Sequence, residues 1–448
     1  MNITLIILII YLVLMFFIAW YFSRKEGIEA YFVNKKKTGL WMMALASVSS
    51  MIGAGATVAI ASETYNSGIS YGLAIPISLA TGAVLLGLIA GRIKKIGEKY
   101  EAYTLVDFFE KRFDKKNKII IFIMQIFLIV VWTAAQAVAI ASLASVLLGV
   151  NYTIALLFAA GITILYTAIG GLKIDIITDF IQFWIILVVF VIMFFSGYAQ
   201  VDGISNLLAN VPEGHLNPFA FAGVAWFFAV IFLSGFIYLG DSSNWQRIVS
   251  AKTPKTARNS FFLSIPIFLI LGLIILFFGL SASILLGDIN QDLALFLLME
   301  KILPGSLVGV GFAAILAVIM SSVDSLLVSG STIIYRGLFR KNEFNKKKEI
   351  FYARIITMMF GVCSFAVAFL VPKIVTLSLF AAYLAVMFAI PVIFGMYTKV
   401  SSNASFFAVL FAFLTLVVFF PIIRANSFII PLVLSLGILL FYDRFFKK

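Results

Sequence analysis

Three groups of residues in this 448-residue chain could do chemistry, and all three offer oxygen atoms. The first is the stretch 46–57, Ala-Ser-Val-Ser-Ser-Met-Ile-Gly-Ala-Gly-Ala-Thr. It lies inside an apolar run of about 38–62, yet Ser47, Ser49, Ser50, Gly53 and Gly55 make it a poor sequence for a smooth helix. Backbone that unwinds in hydrocarbon frees carbonyls that lipid cannot satisfy. It is tolerated beside protein or a wet cavity, and a typical use there is to hold a small cation. Close helix packing also employs Gly and Ser, and that reading stays open for the stretch taken alone. The second group lies in the run 306–335. There Ala313, Ala317, Ser321, Ser325 and Ser329 recur every four residues and form one helix face. Packing with hydroxyls bonded back to the i−4 carbonyls explains those serines. It does not explain Asp324, which flanks the stripe with Ser322 and would be costly against lipid. The third group is Asp175, Asp179 and Gln182, on one helical face. Asp175 reads as a helix-start carboxylate beside Lys173, whereas Asp179 lies a turn deeper.

A sodium site needs several hard oxygens from more than one helix, whereas thiolate or imidazole would indicate a transition metal. The available set is the loosened backbone around Ser49 and Ile52, the hydroxyls of Ser321 and Ser322, and the carboxylate of Asp179. Cys363, the one cysteine, excludes an intramolecular disulfide and is expected to pack inside a span. His215, the one histidine, lies in a polar loop. With no catalytic triad, nucleotide-binding loop or redox ligands in view, the chain reads as a non-enzyme.

The elements that must carry these groups are membrane spans. Hydrophobic residues make up 63% of the chain and charged ones 12%, with a mean hydropathy of +1.11; a soluble protein is about half apolar and a quarter charged. Apolar runs fall at about 1–22, 38–62, 69–91, 118–149, 151–170, 175–198 and 222–241. They continue at about 259–287, 306–335, 351–371, 374–397, 402–423 and 427–443, which predicts an all-α polytopic protein of about thirteen spans. The first run precedes its basic residues, Arg24 and Lys25, unlike a cleaved signal, and so reads as a span with its N-terminus outside. On that alternation every lysine and arginine except Lys301, Lys373 and Arg424 falls on the cytoplasmic side, including the C-terminal Lys447 and Lys448. The net charge of +13 therefore records topology in the lipid bilayer, not a nucleic-acid partner. Residues 199–221 read as an outer loop, 288–304 as a short helix on the outer surface, and 100–113 as an interfacial helix. Residues 1–448 make one transmembrane domain.

The run Tyr166-Thr-Ala-Ile-Gly-Gly-Leu-Lys-Ile-Asp-Ile-Ile-Thr-Asp-Phe-Ile-Gln182 resembles a signature of the sodium/solute symporters. Ile52 to Tyr65 followed by Gly68 looks like that family's broken first core helix. Gln246-Arg247 with Ala251-Lys252, and Ala313 to Ser325, resemble two further landmarks in the same order. The resemblance implies two inverted five-helix repeats, about 38–198 and 222–397, with one helix before and two after. The second repeat would open on a broken helix at 222–241, where Gly235, Gly240 and Asp241 stand. It further implies sodium as the coupling ion, held by the carbonyls of Ser49, Ile52 and Val318 and the hydroxyls of Ser321 and Ser322. Asp179 would support that site or form a second one.

Met51 and Ala56 stand where sugar- and proline-carrying branches have polar residues, so neither substrate pattern is intact. Ile52 to Gly55 with Glu63 and Tyr65 is somewhat similar to choline-transporter relatives. An amine would want an aromatic cage, for which Trp132, Tyr238 and Trp245 are candidates beside ordinary packing roles. Met51, Ala56, Trp132, Tyr238 and Asp241 are thus the candidate solute residues. The reading is a sodium-coupled importer of a small organic solute (amino acid, carboxylate, sugar or amine) in the plasma membrane, its C-terminus cytoplasmic. A proton-coupled version would use Asp179 or Asp324 as carrier. A non-transporting sensor would want a signalling domain after the last span, where this sequence stops at Lys448.

Overall fold

The computed structural model describes residues 3–23, 27–339 and 346–446. Arg24, Lys25, Arg340, Lys341, Lys447 and Lys448, part of the predicted inner-side charge, lie outside the described residues. Among the described residues there is no strand, only an isolated bridge between Thr38 and Ala251. The rest of the architecture is helical, as backbone that must satisfy itself inside lipid has to be.

The long helices are α1 (Ile3–Ser23), the pair α2 (Leu40–Met51) and α3 (Val58–Ser67), α4 (Ile69–Tyr100), α5 (Lys115–Leu148), α6 (Tyr152–Gly170) and α7 (Leu172–Gln200). There follow the pair α8 (Gly223–Leu233) and α9 (Ser242–Ser250), then α10 (Pro254–Leu285), α11 (Gly305–Phe339), α12 (Lys346–Leu370) and α13 (Ile374–Tyr397). The last two are α14 (Ser402–Ile423) and α15 (Ile429–Phe446). Among the described residues, ten of these are long and apolar enough to cross a bilayer, or twelve crossings if each bent pair counts as one. The predicted run 427–443 is a helix, α15; the ten to twelve candidate spans among the described residues leave the exact count of thirteen open.

Two groups of helices surround the bent pairs. Helices α4 and α10 pack along each other, and α2, α3, α8 and α9 lean on them. Helices α5, α6, α11 and α12 form a second group, with α1 laid against α6, α7 and α11. Large apolar side chains such as Leu88, Leu157, Phe195 and Leu370 point outward, as a lipid-facing perimeter requires. Cys363 is exposed among them and does not pack inward as expected. The helix expected on the outer surface exists as Ala294–Ile302, but Leu295, Phe296, Leu298 and Met299 are buried, so it is wedged into the bundle and does not lie on a surface. The predicted interfacial helix is Leu105–Arg112, begun by reciprocal bonds between Thr104 and Asp107.

Basic side chains tie one end of the molecule together. Arg336 pairs with Asp107 at 2.9 Å, Lys94 donates to Val249 O at 2.8 Å, and Arg112 to Gly395 O at 2.7 Å. Lys373, assigned to the other side, begins α13, whose far end carries Gly395.

Candidate functional site

The first break occurs where the sequence loosens. Helix α2 closes its last turn with Ile52 N–H on Val48 O at 3.0 Å; Gly53 is then extended, and the chain resumes 80° away. Gly53 cannot carry a side chain there, since a Cβ would lie 2.8 Å from Ser322 Cβ and 2.9 Å from Gln136 Oε1. Gly68, at φ +75°, makes the tight turn from α3 into α4 against the His215 backbone.

A glutamine on α5 answers each break. Ala54 N–H donates to Gln136 Oε1 at 2.8 Å. At the second break, a bend of 62°, Gln125 Nε2 donates to Gly240 O at 2.7 Å and its Oε1 accepts from Ser242 Oγ at 2.7 Å. These partners escaped the sequence reading, although two buried amides inside one long apolar helix are a costly signal.

The break brings α2 onto the small-residue face of α11. Ser321 Oγ donates to Ser49 O and to Val318 O, each at 2.9 Å, and Ser322 Oγ donates to Ser50 O at 2.7 Å. Four of the expected ligand residues, Ser49, Val318, Ser321 and Ile52, are thus buried around one contact between two helices, with Ser322 beside them. A cation entering this cluster would have the hydroxyls turn their protons away and present lone pairs.

Asp179 has a partner the sequence reading missed. Arg247, read as an inner-side charge, is 2% exposed, and its Nη2 donates to Asp179 Oδ2 and, at 3.0 Å, to Asp175 Oδ2. Asp175 is therefore not paired with Lys173 at the membrane edge; it is buried and also accepts from Ser325 Oγ at 2.8 Å. Asp324 accepts from Thr167 Oγ1. Asp179 Oδ1 and Asp324 Oδ2 are buried without a hydrogen bond.

All five candidate solute residues, Met51, Ala56, Trp132, Tyr238 and Asp241, line one cavity of about 100 Å³ between the two breaks. Ser50, Gly53 and Ser322 form part of its wall, so the oxygen cluster borders it directly. Trp245 does not reach it: it is fully buried against Phe108 and donates to Leu239 O at 3.0 Å. Tyr71, Trp226 and Tyr383 line the cavity and carried no sequence signal beyond aromaticity. Glu63 and Tyr65 lie on α3, beyond the break, and bond to the 287–292 segment. Gln291 donates to Glu63 at 3.2 Å, Ser62 to Asp292 at 3.3 Å, and Tyr65 Oη to Gly287 O at 2.8 Å. Burial there pushes the Asp292 carboxyl above its usual range, against the lowering effect of Ser62 and Lys373.

The model of the Sodium:solute symporter family matches residues 31–411. A sodium/pantothenate symporter of Haemophilus influenzae is 26% identical over 381 residues, 80% of this chain and 78% of that one. Sodium/proline symporter 2 of Staphylococcus saprophyticus is 30% identical over 347 residues, 74% of this chain and 67% of that one. Among solved structures, the substrate-bound outward-open state of a Na+-coupled sialic acid symporter superposes with a TM-score of 0.81 at 17% identity, covering 98% of this chain and 96% of that one. A nucleobase-cation-symport-1 family transporter in a closed conformation gives 0.57 at 14% identity. The structural likenesses are of fold.

Proposed function

The chain belongs to the sodium:solute symporter family, and from that premise we propose that it imports one small organic solute with sodium by alternating access. Sodium is the coupling ion, and the protein is a multi-pass membrane transporter, not an enzyme. We assign the ion to the carbonyls of Ser49, Ile52 and Val318 and the hydroxyls of Ser321 and Ser322. The observation carrying this is the meeting of Ser49 O and Val318 O on one hydroxyl, at 2.9 Å each, beside an 80° helix break. The cavity bordered by Met51, Ala56, Trp132, Tyr238 and Asp241 is the solute site.

Coupling follows from the shared wall. Sodium between α2 and α11 would fix the broken segment that forms one side of the cavity, so the ion would raise solute affinity in one state and not in the other. Asp179 acts at one remove, orienting the inner half of this region through Arg247. The repeats run over about 38–198 and 222–397, each opening on a bent helix. The protein sits in the plasma membrane with the basic end inside and the N-terminus outside. Uptake into proteoliposomes, with and without an imposed inward sodium gradient, tests the reading. Solute accumulation should require the gradient; accumulation that follows pH and ignores sodium would replace sodium with a proton carried on Asp179 or Asp324.

A further inference from the structure

The charge of the cavity wall is one-sided. Among the described residues that line it, Asp241 is the one acid, and there is no lysine, arginine or histidine. Arg247, on the helix that Asp241 caps, acts on that carboxylate across space but makes its ion pairs with Asp175 and Asp179 and does not line the cavity. Asp241 is held by donors of its own turn: Ser243 N at 2.8 Å, Ser243 Oγ at 2.6 Å and Asn244 Nδ2 at 3.2 Å. These fix the carboxylate but bring it no cationic side chain. The remaining wall is rich in ring faces. Tyr71 and Trp226 stack at 5.8 Å and 17°, and Trp132, Tyr238 and Tyr383 join them. Aromatic faces and a carboxylate both attract cations, and both act more strongly where water is scarce. A solute whose only charge is a carboxylate would meet one negative group and no side-chain cation.

Building on the assignment of this cavity as the solute site, we propose that the transported solute bears an ammonium group, which lies between Asp241 and the rings of the cavity. A carboxylate on the same solute would face the sodium side, where Ser50, Gly53 and Ser322 form the wall.

The alternative role for Asp241 is purely structural, as the N-cap of α9. Asp241→Asn separates the two, because asparagine caps a helix as well as aspartate but carries no charge. The measurement is tryptophan fluorescence of the purified full-length protein, Trp132 and Trp226 lying in the wall. It is titrated at saturating sodium with choline, proline, pantothenate or glucose, and the same solutes then compete in proteoliposome uptake. Choline or proline should give a saturable change and pantothenate and glucose none. Asp241→Asn should weaken the ammonium compound by about tenfold or more with unchanged thermal stability. Trp132→Leu, which stays apolar and removes a ring face, should weaken it several-fold, with Trp226 left as the reporter. The proposal falls if neither ammonium compound perturbs the fluorescence, if pantothenate or glucose is the solute bound, or if Asp241→Asn binds as the parent does. Uptake of an ammonium solute that ignores sodium would overturn the symport reading while leaving this assignment standing.

Discussion

Asp175 and Asp179 share one guanidinium, and that contact changes what a substitution at either of them measures. Removing one partner of a buried ion pair costs about 3–5 kcal/mol because the other is left uncompensated. Arg247→Met should therefore lower the apparent melting temperature of the detergent-purified protein more than Asp179→Asn does, since Asp175 still holds Arg247 in the second variant. Equal losses would mean that Asp175 contributes nothing to holding the guanidinium. Asp179→Asn should still raise the sodium concentration needed for half-maximal uptake, acting through Arg247 and Ser325, with Asp179→Glu milder. Ser321 and Ser322 are a cleaner probe, because each hydroxyl also touches a carbonyl of the broken helix. Each Ser→Ala change would remove one oxygen lone pair from the proposed sodium shell. The Ser321→Ala/Ser322→Ala double variant should thus need about tenfold or more sodium for half-maximal uptake. Unchanged sodium dependence would reduce the stripe to helix packing.

Helix α5 supplies an amide side chain to each bent helix. Gln136→Leu leaves Ala54 N–H without its partner, a loss of about 1–3 kcal/mol for a buried donor. It should weaken sodium and solute together, since both sites lean on that turn, whereas Gln125→Leu should act mainly through the solute side. Radiolabelled uptake across a sodium series distinguishes the two. Gly53→Ala drives a methyl group into Ser322 and Gln136, and overpacking of this kind costs about 1–3 kcal/mol. We expect a folded, membrane-inserted protein with strongly reduced uptake; normal sodium-dependent transport would show that α2 and α11 do not need this close approach.

Across the whole molecule, the orientation in the membrane rests on charge. In a Cys363→Ser background, Glu213→Cys should react with an impermeant thiol reagent added outside intact cells, and Lys255→Cys should react only after permeabilisation. The reverse pattern would invert the topology and the direction of every crossing. The sequence by itself determined the helical membrane class, most span positions, the first break and the serines that meet it. Those follow from local causes: apolar runs of bilayer length, glycines where backbone must turn, and polar side chains too costly to place in lipid without use. It also picked five residues that prove to line one cavity. Tertiary structure alone decided the partnerships. Arg247 lies 68 residues from Asp179 in the chain, and Gln136 lies 82 from Ala54. No period or spacing reports a contact made across the bundle. The same limit misplaced Trp245 in the cavity and Asp175 at the membrane edge, because an aromatic or acidic residue on a helix reveals its depth only when the neighbouring helices are in place.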